Sequence, residues 1–178
     1  MDYAVHWMIF IRSSDRMKVL NQEALIKWCS ETGNGLATKK PSREKRSSSS
    51  AVTISTDGMD GLTAFDLGRT MAGTLASGEL VVSILERGPF TEKEEGELFD
   101  NYLNGTCGTT MTGVGNGVLF EESEISGLVI VLSLCILFRW DFWLVRGDGQ
   151  VGIFHSHDVG LRIYSSPSRC LDALGFKS

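Results

Sequence analysis

The sequence predicts a single α+β domain with a mixed or mostly antiparallel sheet and about five helices. Three observations support this fold class. Segments rich in β-branched and aromatic residues alternate along the 178 residues with segments in which hydrophobic residues recur at helical spacing. Three predicted strands near the C-terminus are joined by glycine-containing connections of hairpin length, the pattern of an antiparallel meander. The content of 42% hydrophobic and 22% charged residues is typical of a globular protein.

The first half of the chain is predicted to contain three strands and two helices. The first helix begins either after the capping residues 13–15 or later, with Asn21 as its N-cap. The second helix directs Phe65, Ala72 and Leu75 inward, and its glycines weaken it. The predicted strands are residues 3–11, 51–56 and 79–86, and the predicted helices are residues 17–29 and 62–76.

Residues 38–50 differ in composition from the rest of the chain. They contain five basic residues and end in four consecutive serines. Such a segment buries too little apolar surface to offset the entropy lost on ordering, so we expect an exposed, disordered loop. Binding of phosphate or anionic lipid is the alternative, but no aromatic residue is interleaved with the basic ones. The basic residues are Lys39, Lys40, Arg43, Lys45 and Arg46.

Residues 91–105 carry the strongest local signal for a helix. Thr91 and Glu94 form a capping box, in which each side chain bonds a backbone N–H group at the helix start. Residues 104–105, Asn-Gly, are a suitable helix end. A short strand at residues 118–120 follows. The stripe predicted to face the core consists of Leu98, Phe99, Tyr102 and Leu103.

The longest apolar run, residues 128–138, is predicted to lie at the centre of the core. Ser123 is a suitable N-cap for a helix of residues 124–137, although a run this short also fits a strand. A helix that is apolar on nearly every side is expected to be buried on every side. The run has 11 residues and a membrane span needs roughly 20, so we expect a cytoplasmic protein that does not cross the membrane.

The C-terminal part is predicted to form the meander and a last helix. The strands are residues 140–145, 151–155 and 161–164. The helix begins with Ser166 as N-cap and a proline at its first position.

His155, His157 and Asp158 combine residue types that bind metals in proteins. Residues two apart on a strand point to the same face, so both imidazoles could reach one zinc ion. Asp158 or Asp172 would supply the third ligand, and a metal-bound water would be the reactive group. The other interpretation is that His155 ends a strand and His157 and Asp158 form a polar hairpin turn.

The segment Val-Gly-Ile-Phe-His-Ser-His at residues 151–157 resembles the His-Ser-His segment of the JAMM (Mov34-type) zinc metalloproteases. That family has a proline after the second histidine, where this chain has Asp158. Its Ser-x-x-Asp motif supplies a third ligand further on. Here the nearest aspartate after residues 166–168, Ser-Pro-Ser, is Asp172, with fourteen residues between it and His157. The resemblance implies a metal-dependent hydrolase that uses His155, His157 and a carboxylate.

The main functional prediction is a non-catalytic protein-binding module without a cofactor. The net charge of −5 disfavours nucleic-acid binding and suits a basic protein partner. The four cysteines contain no Cys-x-x-Cys pair, so neither a zinc knuckle nor a disulfide framework is predicted. By analogy, inhibitors of the toxin-immunity type have this size and charge. The carboxylates expected to contact the partner are Glu121, Glu122, Glu124, Asp141 and Asp158.

Overall fold

A computed structural model of the chain describes residues 17–34, 37–41, 53–75, 77–88, 93–109, 111, 115–149, 152–158 and 160–163. Within these ranges, one sheet of seven strands is packed with four α-helices. The strands are β1 (Lys18–Leu20), β2 (Thr53–Ile54), β3 (Leu80–Glu86), β4 (Asn116–Phe120), β5 (Asp141–Arg146), β6 (Gly152–Ser156) and β7 (Gly160–Ile163). The helices are α1 (Gln22–Glu31), α2 (Gly61–Leu75), α3 (Lys93–Cys107) and α4 (Ile125–Leu137), and a 3-10 turn, Glu122–Glu124, leads into α4.

The strands lie in the order β1-β4-β3-β5-β6-β7-β2, and every strand pair is antiparallel. The predicted C-terminal meander is present, because β5 pairs with β6 and β6 pairs with β7. The prediction of a mixed or mostly antiparallel sheet resolves to a fully antiparallel one in the described residues. β3 and β5 are central, and their side chains are buried on both faces.

The two faces of the sheet support two separate groups of buried side chains. Residues of α2, α3 and α4 pack on one face, together with Val82, Phe142 and Leu144. Residues of α1 pack on the other face, together with Trp143 and Val145. Because neighbouring residues of a strand point to opposite faces, β5 contributes to both groups in strict alternation.

Residues 37–41 also lie against the α1 face of the sheet. The hydroxyl of Ser83 donates to the backbone oxygen of Ala37 at 2.8 Å, and the indole N–H of Trp143 donates to that of Lys39 at 2.9 Å. Pro41 is buried. The first residues of the predicted basic loop are therefore bound to the sheet, and residues 42–50 lie outside the described residues.

Several element boundaries differ from those that the sequence predicts. The prediction of about five helices is wrong for the described residues, which contain four. α1 begins at Gln22 because Asn21 Oδ1 accepts the N–H of Ala24 at 2.9 Å, and Lys18–Leu20 is a strand. The strand predicted at residues 3–11, the cap at Thr91 and the helix predicted after Ser166 lie outside the described residues.

α4 is a helix and not a strand, but it is not buried on every side. Its N-cap is Glu124 and not Ser123, and the capping box between Glu121 and Glu124 belongs to the 3-10 turn before it. Ile130 and Leu137 are exposed, because α2 packs against this helix but no described residue covers its outer side. No helix in the described ranges combines the length and the apolar character that a membrane span needs.

α2 and α4 run antiparallel and are in close contact. α2 leads to β3 at Leu80, and α4 follows β4 at Phe120. Leu80 at the start of β3 pairs with Phe120 at the end of β4, so the end of α2 and the start of α4 lie at the same end of the strands. A Cβ atom on Gly68 would lie 2.7 Å from Ser133 Oγ and 3.1 Å from the backbone oxygen of Val129. The absence of a side chain at Gly68 therefore permits this close approach.

We expect Gly68→Ala to lower the free energy of unfolding by about 2 kcal/mol, because the new methyl group overlaps atoms of α4. Gly105→Ala is the matched control, since Gly105 is an exposed glycine of α3 with open space around it. The control should gain up to about 1 kcal/mol from helix propensity. Urea denaturation measures both variants, and equal stabilities would contradict the proposed close contact.

Candidate functional site

The histidines and carboxylates that the sequence singles out lie near the start of β5 and the end of β6. Phe142 of β5 pairs with His155 of β6, so residues 140–141 and 156–158 are close to one another. Lys40 reaches this region from the segment that follows α1. We call Lys40, Asp141, His155, His157 and Asp158 the His–Asp cluster.

His155 is buried and both of its ring nitrogens are occupied. Its ring stacks on Phe142 with centroids 5.1 Å apart. Nδ1 lies 2.7 Å from the carbonyl oxygen of Trp140, so Nδ1 carries the proton and donates it. Nε2 then accepts from the hydroxyl of Thr56 at 2.8 Å. Burial lowers the pKa of His155, and the imidazole is therefore neutral and fully hydrogen-bonded inside the core.

Asp141 is the buried acceptor of the His–Asp cluster. Its Oδ1 accepts the backbone N–H of His157 at 2.8 Å and the ring Nδ1–H of His157 at 2.7 Å. Its Oδ2 lies 2.7 Å from the ammonium nitrogen of Lys40. Burial alone would raise the pKa of Asp141, but the hydrogen bonds from Lys40 and His157 hold it below its ordinary value.

Lys40 joins two carboxylates from neighbouring strands. Its ammonium group pairs with Asp141 of β5 and with Glu86 of β3. Partial burial works against the charged form, but the hydrogen bonds to Asp141 and Glu86 raise the pKa of Lys40 above its ordinary value. The ammonium group thus stays protonated and fixes residues 37–41 to the sheet.

The two histidines bind to opposite faces of the sheet. His155 shares the face of Phe142, whereas Asp141, the residue before Phe142 on β5, points to the other face. β6 ends at Ser156, so His157 lies in the following turn and reaches Asp141 on that other face. The hypothesis that both imidazoles point to one zinc ion requires the strand to continue through His157, but β6 ends at Ser156.

The other predicted metal ligands do not complete a site in the described residues. Asp158 is exposed, and its Oδ1 lies 3.1 Å from Nε2 of His157. Asp172 lies outside the described residues. In the ranges that the structure describes, no three His, Cys, Asp or Glu side chains are grouped so that they could hold a metal ion.

The five carboxylates predicted to contact a partner are not on one surface. Glu124 is buried and its Oε2 accepts the N–H of Glu121 at 3.0 Å, which is part of the capping box of the 3-10 turn before α4. Asp141 is buried in the His–Asp cluster. Glu122 and Asp158 are exposed, and Glu121 is half-buried.

A surface on the outer side of α2 and α4 is not among the sites predicted from the sequence. Phe65 was predicted to face inward, but the structure leaves it 43% exposed, and Leu62 on the same helix is 72% exposed. Ile130 and Leu137 on α4 are 37% and 39% exposed. We call these four residues the α2–α4 face. The sequence signal for this face is the all-round apolar pattern of α4, because such a helix also has apolar side chains on its outer side. Leu98 of α3, also predicted inward, is 55% exposed.

No protein-family model matches this chain, and searches of curated proteins and of solved structures find no similar protein.

We expect the stability of the protein to fall as the pH decreases below about 6.5, the ordinary pKa of histidine. The reason is that burial lowers the pKa of His155, so the unfolded chain binds a proton at a pH at which the folded protein does not. In His155→Gln, which is less stable at neutral pH, the decrease between about pH 6.5 and pH 5 should be much smaller. Urea denaturation over a pH series measures this. If the free energy of unfolding decreases equally with pH in both proteins, His155 is not the group responsible.

Asp141→Asn should lower the free energy of unfolding by about 2 kcal/mol at neutral pH, because the ion pair with Lys40 is lost. The matched control is Asp158→Asn, which should change stability by less than about 0.5 kcal/mol because Asp158 is exposed. The pKa of Asp141 is held low in the folded state, so its contribution persists above about pH 4 and disappears as the pH falls further. A constant difference between wild type and Asp141→Asn down to strongly acidic pH would contradict this role.

Proposed function

We propose that this chain is a non-catalytic protein-binding module whose contact surface is the α2–α4 face. The observation that carries the proposal is the exposure of four large hydrophobic side chains on two adjacent, antiparallel helices. Isolated exposed hydrophobic residues are common on protein surfaces, but a contiguous group usually marks an interaction site. The apolar outer side of α4 has no role in the core, since the inner side of the same helix supplies the buried contacts.

The state of the His–Asp cluster also supports a binding role over hydrolysis. The ring nitrogens of His155 are hydrogen-bonded inside the core, and His157 is held by Asp141 and Asp158. These contacts connect loops and strands, which is what a structural cluster does. Zinc coordination by His155 would require breaking two buried hydrogen bonds.

A narrower form of the proposal is an immunity-type inhibitor that binds a basic protein. The exposed carboxylate of Glu122 supports it, because Glu122 lies directly before α4, the helix that carries Ile130. A partner with a basic group beside an apolar patch would match this arrangement. Association would then slow as salt concentration rises.

A photo-crosslinking residue placed at Phe65 or at Ile130 of the full chain tests the proposed surface. The measurement is mass spectrometry of adducts formed in the cells that produce the protein. We expect adducts with protein at both positions, and a large decrease in those from Phe65 when Ile130→Glu is added, because a buried charge opposes apolar contact. The same photo-crosslinker at Leu98, an exposed leucine on α3, is the matched control and should give few adducts. Absence of protein adducts at Phe65 and Ile130 would reject the proposal.

A further inference from the structure

The outer side of α2 carries a stripe that is complementary to itself. Leu62, Asp66, Arg69 and Gly73 are all exposed and follow one another at spacings of four, three and four residues, so they form one line along the helix. The centre of this line lies between Asp66 and Arg69. If a second α2 lies antiparallel across this centre, Leu62 faces Gly73 of the other helix, and Asp66 faces Arg69.

α4 carries a stripe of the same kind. Ser126, Ile130 and Leu137 are exposed on its outer side. Ser133 completes the same spacings of four, three and four residues, but it is half-buried where α4 borders α2 at Gly68. An antiparallel copy of α4 would place Leu137 opposite Ser126 and Ile130 opposite Ser133. In both helices a large apolar side chain meets a glycine or a serine, which is the size matching that allows close helix packing.

The centres of the two stripes lie at the same level along the two helix axes. The centre of the α2 stripe is next to Gly68, and the centre of the α4 stripe lies between Ile130 and Ser133. Gly68 is in close contact with Ser133 and with the backbone oxygen of Val129. One twofold axis, perpendicular to the helices at this height, therefore satisfies both stripes at once.

We infer that the α2–α4 face binds a second copy of this chain, with α2 antiparallel to α2 and α4 antiparallel to α4 across a twofold axis. This inference rests on the proposed function, because it names the occupant of the same surface. The charge pattern favours a second copy over a uniformly basic partner. Asp66 and Arg69 are both exposed, and Arg69 Nη2 lies 2.9 Å from Asp66 Oδ1. The two side chains therefore present one charge of each sign to a partner.

Gly73 provides a substitution that separates association from folding. A Cβ atom there would have no neighbour within 4 Å in the single chain, so Gly73→Leu should fold normally. At a concentration at which both proteins are monomeric, it should melt at a higher temperature than wild type. In the twofold pair the new side chain occupies the space of Leu62 from the other copy. We expect the dissociation constant of the dimer to rise by at least about tenfold. Gly105→Leu, at an equally open exposed position of α3, is the matched control and should leave association unchanged.

The charge pair provides a second, independent test. Asp66→Arg and Arg69→Asp each place like charges opposite one another twice in the dimer, so each should weaken association. The double variant Asp66→Arg/Arg69→Asp restores opposite charges and should recover it. These variants also break and restore the ion pair between Asp66 and Arg69 within one helix. Thermal melting of each variant is therefore measured as well, to separate an effect on folding from an effect on the dissociation constant.

Sedimentation equilibrium of the full chain over a wide concentration range gives the dissociation constants. A concentration-dependent dimer that Gly73→Leu weakens and Gly105→Leu does not, with recovery in the double charge variant, is the expected result. A monomer at all concentrations, or a dimer whose dissociation constant these substitutions leave unchanged, overturns the inference. If crosslinks from Phe65 and Ile130 then reach another protein, the proposed function stands without self-association, and if they reach none, both fail.

Discussion

The buried carboxylate of Asp141 is the contact on which one end of the fold depends. It receives hydrogen bonds from Lys40 and from His157, two residues far from it in the sequence. The segment after α1 and the turn between β6 and β7 are thereby attached to the first residue of β5. A charge in this position would be costly without partners, and three donors with good geometry offset its desolvation.

The sheet explains why two similar histidines have different environments. His155 occupies the last inward position of β6 on the helical face, where a neutral imidazole can stack on Phe142 and bond to Thr56. His157 follows the end of the strand and turns to the other face. The alternation of strand side chains ends with the strand, and a spacing of two residues then no longer places two side chains together.

The helical layer combines close packing inside with an apolar surface outside. Gly68 lets α2 approach α4, and large apolar residues on the outer side of both helices are exposed. An all-round apolar helix such as α4 costs solubility if its outer side stays in water, because apolar area in contact with water is unfavourable. That cost is reduced when another protein surface covers Ile130 and Leu137.

The sequence by itself determined the α+β class, the meander and most of the helices and strands, because these follow from local periodicity and from turn residues such as Gly147 and Gly149. It did not determine the start of α1, where the capping bond of Asn21 outweighed a longer apolar pattern. Only the tertiary structure decided that Asp141 and Glu124 are buried, that Phe65 is exposed and that His155 and His157 diverge. Burial and direction depend on which elements lie opposite each residue, and contacts between distant segments, such as Lys40 with Asp141, are not encoded in local spacing.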